Sequence, residues 1–204
     1  MADYKDIVGT AVRNNAGTLT SAKTGELFYD STALDFIYRH PNVTSAGTWR
    51  TGANMNTARA YNFATAGVQT AALNYGGNEP PGAVTGKTES YDGSTWTEVA
   101  DLNDTRGGNA GAGTYTAAIS TGGSSPGDTA NTETWNGSSW TEVNNLGQAR
   151  NRLAAVGLVT AALAYGGYGA PYYALTESWN GTSWSEVADL NTARNQLGGA
   201  GILT

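Results

Sequence analysis

The sequence predicts an all-β fold assembled from a tandem repeat, and three observations carry that prediction. Trp49, Trp96, Trp140 and Trp184 recur at intervals of 47, 44 and 44 residues, and Arg59, Arg106, Arg150 and Arg194 keep the same intervals. Glycine supplies 28 of 204 residues and only 14% are charged, a diet that suits short strands and tight turns better than helices. Asp92-Gly93, Asn136-Gly137 and Asn180-Gly181 each sit between an aromatic residue and the next repeat tryptophan. Such dipeptides accept positive φ at low cost and mark hairpin turns.

Two further marker sets share the register. Glu89, Glu133 and Glu177 are 44 residues apart, and Gly76-Gly77, Gly122-Gly123 and Gly166-Gly167 keep step within one residue. The third copy shows the unit most clearly. Trp140-Thr-Glu-Val opens it, and a polar stretch ends in Ala149-Arg150-Asn151. Apolar runs follow at Leu153 to Val159 and Ala161 to Tyr165, then Gly166-Gly167, a variable loop, and Thr176-Glu-Ser-Trp179 before the turn to Trp184. That reads as four short strands per unit. Leu73, Ile119 and Leu163 stand two residues before Tyr75, Thr121 and Tyr165, so period two places each pair on one sheet face.

Composition also excludes function classes. Net charge is −6 without a basic cluster, whereas nucleic-acid binding needs concentrated lysine and arginine. No apolar run approaches the ~18 residues of a membrane span, and no secretion signal is read at the N-terminus. Cysteine is absent, which removes disulfides, thiolate nucleophiles and zinc–thiolate sites.

Arginine, then Gly-Gly, then an aromatic (Tyr91, Trp135, Trp179), then tryptophan, in this order over 49–204, resembles the kelch repeat. The resemblance implies a small kelch-like β-propeller, with repeats at 49–95, 96–139, 140–183 and a partial one at 184–204. The wording around Thr176-Glu-Ser-Trp179-Asn-Gly and Leu190-Asn-Thr-Ala-Arg194-Asn is similar to structural proteins of tailed bacteriophages, particularly marine or cyanophage types. Thr24-Gly-Glu-Leu-Phe-Tyr-Asp-Ser-Thr32 resembles a stretch near the start of phage fibre proteins. These resemblances imply a virion location and an N-terminal segment, 1–48, that anchors to other virion proteins.

A propeller closes with about 4–8 blades, and four are expected here. Gly25–Tyr29 and Ala33–Tyr38 read as a hairpin, Thr48-Trp49-Arg50 as the last strand of a blade, and Leu197–Leu203 as the first strand of another. Together they would form a mixed fourth blade fastened by both chain ends. A homo-oligomeric fibre, with the C-terminal half-repeat pairing to a neighbouring chain, is the alternative architecture. Inner strands such as Gly107–Gly113 and Gln196–Gly201 are rich in glycine and alanine, which permits close approach at a crowded axis.

No catalytic residue, metal site or cofactor is assigned. The periodic arginines are expected to tie down the connections between blades. Glu98, Glu142 and Glu186, with Glu89, Glu133 and Glu177, are expected to be strand-surface or cross-strand partners, because equivalent positions on successive blades lack the unequal environments of an acid–base pair. The only histidine, His40, stands in a loop, and no Gly-x-Ser-x-Gly pattern surrounds any serine. The loops after the second strands differ in every unit: Asn78–Lys87, Ser124–Asn131 and Tyr168–Leu175. Variable loops on a rigid frame make binding surfaces, so Tyr168, Tyr172, Tyr173, Glu79 and Asp128 are the candidate binding residues. The aromatic rings would stack on sugars or fill protein pockets. The expected function is a phage virion component, in tail, fibre or capsid, that docks on sibling proteins or binds host-surface carbohydrate. The alternative is a free carbohydrate-binding module.

Overall fold

A computed structural model describes residues 51–60 and 64–201, with the backbone of three short strands before them. No helix occurs among the described residues. The chain divides into two units, Met1–Thr51 and Gly52–Thr204. In the first, β1 (Arg13–Asn15) runs parallel to β2 (Leu27–Asp30), which pairs antiparallel with β3 (Asp35–Tyr38). The β2–β3 pair is the expected hairpin; the parallel strand has no signal in the sequence. His40 and the expected strand at Thr48–Arg50 lie outside the described residues.

The second unit holds three four-stranded antiparallel sheets in chain order. The first comprises β4 (Ala64–Val68), β5 (Ala71–Tyr75), β8 (Thr88–Tyr91) and β9 (Trp96–Val99), with a small hairpin of β6 (Asn78–Glu79) and β7 (Ala83–Val84) inserted after its second strand. The second comprises β10 (Ala110–Gly113), β11 (Ala118–Thr121), β12 (Thr132–Trp135) and β13 (Trp140–Val143). The third comprises β14 (Ala154–Leu158), β15 (Ala161–Tyr165), β16 (Thr176–Trp179) and β17 (Trp184–Glu186). Each sheet thus takes its fourth strand from the tryptophan that opens the next sequence repeat. The expected turns join strands three and four: the Asn136 carboxamide oxygen accepts from the backbone N–H of Ser138 and Ser139, both at 2.9 Å, and Gly137 takes φ of 95°. Asp92 and Asn180 do the same.

Successive sheets stack through the predicted faces. Leu73, Tyr75, Ile119 and Thr121 are fully buried. The Tyr75 hydroxyl donates to the Ile119 carbonyl in the next sheet (2.9 Å), and its ring lies 4.7 Å from Trp140. Trp140 in turn donates its indole N–H back to Thr88 (3.0 Å), and Trp184 repeats the contact with Thr132 (3.2 Å). The first strands β4, β10 and β14 are neighbours. A methyl group on Gly111 would overlap the Tyr75 hydroxyl, which accounts for the small residues of the inner strands.

Each connecting loop is buckled to the sheet that follows it. Arg59 pairs with Glu89 (3.3 Å), Arg106 with Glu133 (2.5 Å) and Arg150 with Glu177 (3.1 Å), all with side chains at most 4% exposed. The second oxygens are occupied too: Glu89 accepts from Asn56 N–H (2.7 Å), Glu133 from Asn103 N–H (2.8 Å) and Glu177 from Gly147 N–H (2.7 Å). The arginines also donate to carbonyls, of Gly76 and Lys87, of Asn131, and of Ala164. Burial lowers the guanidinium pKa of Arg106 and Arg150, and the facing carboxylates raise it again. The arginines therefore do tie down the connections. The inner glutamates, expected as strand-surface or cross-strand groups, are instead buried loop anchors, because each faces a guanidinium across the loop. Glu98, Glu142 and Glu186 stand opposite them in register and are exposed.

Residues 190–201 cover the third sheet as the earlier loops cover the first two. Gly167 N–H donates to the Arg194 carbonyl at 2.9 Å, matching Gly77 to Arg106 and Gly123 to Arg150. Leu197–Gly201, expected as the opening of a strand, lies beside the third sheet but forms none, since no second strand among the described residues pairs with it; Leu203 is outside them. Accordingly Leu163 and Tyr165 are only half-buried.

Removing one buckle partner should be costly. Glu133→Ala is expected to destabilise the second unit by about 3–5 kcal/mol in urea titration, because Arg106 is left buried and unpaired, while Arg106→Met with Glu133→Leu should recover most of that loss. Thr88→Val should cost about 1–3 kcal/mol by orphaning the Trp140 indole N–H. Thr176→Val, with no such indole on it among the described residues, should cost clearly less in the same titration.

Candidate binding cup on the loop face

The loops after strands two and four emerge together and enclose a cup of about 440 Å3. It is built by a repeated bridge. The residue after each buckle arginine pairs with the residue after each Gly-Gly: Ala60 with Asn78, Gly107 with Ser124, and Asn151 with Tyr168. The backbone bonds are short, at 2.8 Å for Ala60 N–H to Asn78, Ser124 N–H to Gly107 and Tyr168 N–H to Asn151. The frame is therefore common to three modules, while the residues that follow Gly-Gly are an amide, a hydroxyl and a phenol. Pro80, Pro81 and Gly82 form one wall.

A second ring of bonds links the loops. Arg152 N–H donates to the Gly108 carbonyl (2.7 Å), and Gln196 N–H donates to the Arg152 carbonyl (2.9 Å). This geometry requires positive φ: 71° at Gly108, 53° at Arg152 and 54° at Gln196. Gly108 meets that without strain, whereas a side chain in this region costs about 1–2 kcal/mol. Arg152 lines the cup from that strained position.

The five residues expected to bind lie in the loops after the second strands, and the structure assembles them unequally. Tyr168 lines the cup and is half-buried, with Tyr172 against it at 5.5 Å. Asp128 accepts a hydrogen bond from the Asn151 carboxamide and so fixes a cup residue without lining the cup itself. Glu79 sits in the inserted hairpin and pairs with Lys87 at 3.1 Å; hydrogen bonds from Thr85 and Lys87 hold its carboxyl below the ordinary range. Tyr172, 56% exposed, and Tyr173 line a separate groove of about 450 Å3 with Trp184, Glu186 and Asp189. Asn78, Ser124, Asn151 and Arg152 were not singled out by sequence reasoning. Their common signal is positional: one residue after Gly-Gly, and one or two after the repeat arginine.

No model of a known protein family matches the chain. No curated protein is significantly similar to it. Among the described residues, no group of three or more histidine, aspartate or glutamate side chains is placed to hold a metal ion, and no helix is long and apolar enough to cross a membrane.

The strain at Arg152 gives a direct test of the local geometry. Arg152→Gly should raise stability by about 0.5–1 kcal/mol, the relief of left-handed strain less the entropy of the added glycine. Denaturant titration reads this as a higher midpoint with an unchanged slope.

Proposed function

We propose that this protein is a recognition scaffold: a small kelch-like β-propeller that presents a loop-lined cup to host-surface carbohydrate or to a partner protein, as a component of a tailed-phage particle. The observation that carries the recognition part is the cup itself. Three modules share one backbone frame, and the side chains that differ between them converge on one opening. Rigid frames with variable loops are a general design for binding.

Four segments, 65–69, 111–113, 155–157 and 199–201, surround one cavity of about 500 Å3. This arrangement supports a ring of about four sheets. The last of these segments is the C-terminal one, which follows the third sheet in the chain. The virion setting rests on the sequence resemblances around residues 24–32, 176–181 and 190–195, and in it segment 1–48 anchors the protein to sibling virion proteins.

Two measurements test the proposal. Mass spectrometry of purified particles should detect the protein at stoichiometric abundance, and its absence would end the virion reading. A glycan array with the folded protein should give binders that Tyr168→Ala weakens by about 1 kcal/mol, roughly fivefold, through loss of a stacking face. An array without binders would leave protein docking as the remaining role for the cup.

A further inference from the structure

We infer that the cup takes an acidic saccharide, with Arg152 as the residue that holds its carboxylate. The inference rests on the loop face being a glycan-binding surface and names the class of glycan.

Among the described residues there are six cationic side chains, and five have partners. Arg59, Arg106 and Arg150 are consumed by the buried buckles, and Lys87 pairs with Glu79. Arg194 donates from Nε to the Thr192 carbonyl at 3.2 Å. Arg152 alone makes neither an ion pair nor a side-chain hydrogen bond among the described residues, and it is exposed in the lining of the cup. Its place is fixed by the backbone ring through Gly108 and Gln196, so the guanidinium projects from a held main chain. A guanidinium offers a planar fork of donors that matches a carboxylate in bidentate fashion.

The remaining lining fits a sugar ring. Tyr168 offers an aromatic platform braced by Tyr172. Pro80 and Pro81 add apolar ring surface to the lining. The Ser124 hydroxyl and the Asn78 amide, which donates to the Gly82 carbonyl at 3.1 Å, bring polar atoms that suit hydroxyl groups. The volume of about 440 Å3 falls within the ~300–1,000 Å3 of small-ligand pockets. One cation favours a ligand with one carboxylate at the contact. A polyanion would need several cations and would meet a chain of net charge −6. An acidic peptide is disfavoured for the same reason.

Isothermal titration calorimetry on the full chain can decide this. The probes are a methyl α-galacturonoside, its neutral methyl ester, a sialylated lactose, lactose itself, and a peptide rich in aspartate and glutamate. At least one acidic sugar should bind, at least tenfold more tightly than its neutral counterpart and more weakly as salt is raised. Arg152→Gln should weaken that binding at least tenfold. Arg152→Gly should weaken it equally while melting at a higher temperature than the parent, which separates lost contact from lost folding. Equal binding of acid and neutral counterpart, no binding of either acid, or an unchanged affinity in Arg152→Gln overturns the inference, and so does tighter binding of the peptide. Neutral glycans bound on an array without dependence on Arg152 would overturn it while leaving the glycan-binding reading intact; an array with no binder of any kind removes both.

Discussion

Each connecting loop in the repeated unit is held to the following sheet by one buried arginine–glutamate pair, and the position of everything on the loop face follows from it. A buried charge pair is a poor source of net stability, since desolvation offsets most of the attraction. Its strength is as a constraint. In the first two buckles the carboxylate accepts both a guanidinium N–H and a backbone N–H from the same loop, as Glu133 does from Arg106 and Asn103; in the third, Glu177 forms an ion pair with Arg150 and accepts from Gly147 N–H, so each loop has one docked position. The residue after the arginine then always meets the residue after Gly-Gly. The cup is a geometric consequence of a buckle repeated three times.

Stacking of the sheets uses a second, independent device. Trp140 and Trp184 reach back to a threonine on the preceding sheet, while Tyr75 reaches forward to the next backbone. Apolar burial supplies the driving force and the two polar atoms fix the register. Among the described residues, the buried Thr88 and Thr132 serve these contacts between sheets, while the buried arginine–glutamate pairs serve the loops. That division leaves the loop residues unburdened by folding, which is why an amide, a hydroxyl and a phenol can occupy equivalent positions at the cup.

Much of the fold was legible in the sequence because short-range rules decide it. Alternation in Leu73–Tyr75, the Asn-Gly turns and the 44-residue interval are local signals, and the strands, turns and buried faces follow them. Glu89, Glu133 and Glu177 were misread because their partners lie about 30 residues earlier in the chain, a distance at which spacing carries no directional information. Leu197–Gly201 has a strand-like sequence but forms no strand, because a strand exists only where a partner pairs with it. Of the cup residues in the loops that visibly vary, among them Asn78, Ser124 and Tyr168, only Tyr168 carries the aromatic ring that marks a binding residue in sequence. Asn151 and Arg152 sit beside a repeated arginine, and the repetition draws attention to the framework residue rather than to its neighbour.

By itself the sequence determined that this is a repeated four-stranded β protein, which faces of its strands are buried, and where its variable loops fall. Periodicity, turn chemistry and composition are properties of neighbours along the chain, so they can be read without coordinates. Only the tertiary structure decided that the arginines and glutamates are mutual partners, that loops from different modules open on one cup, and that Arg152 is the cation left over among the described residues. Those facts depend on which distant segments meet, and that is set by packing in three dimensions.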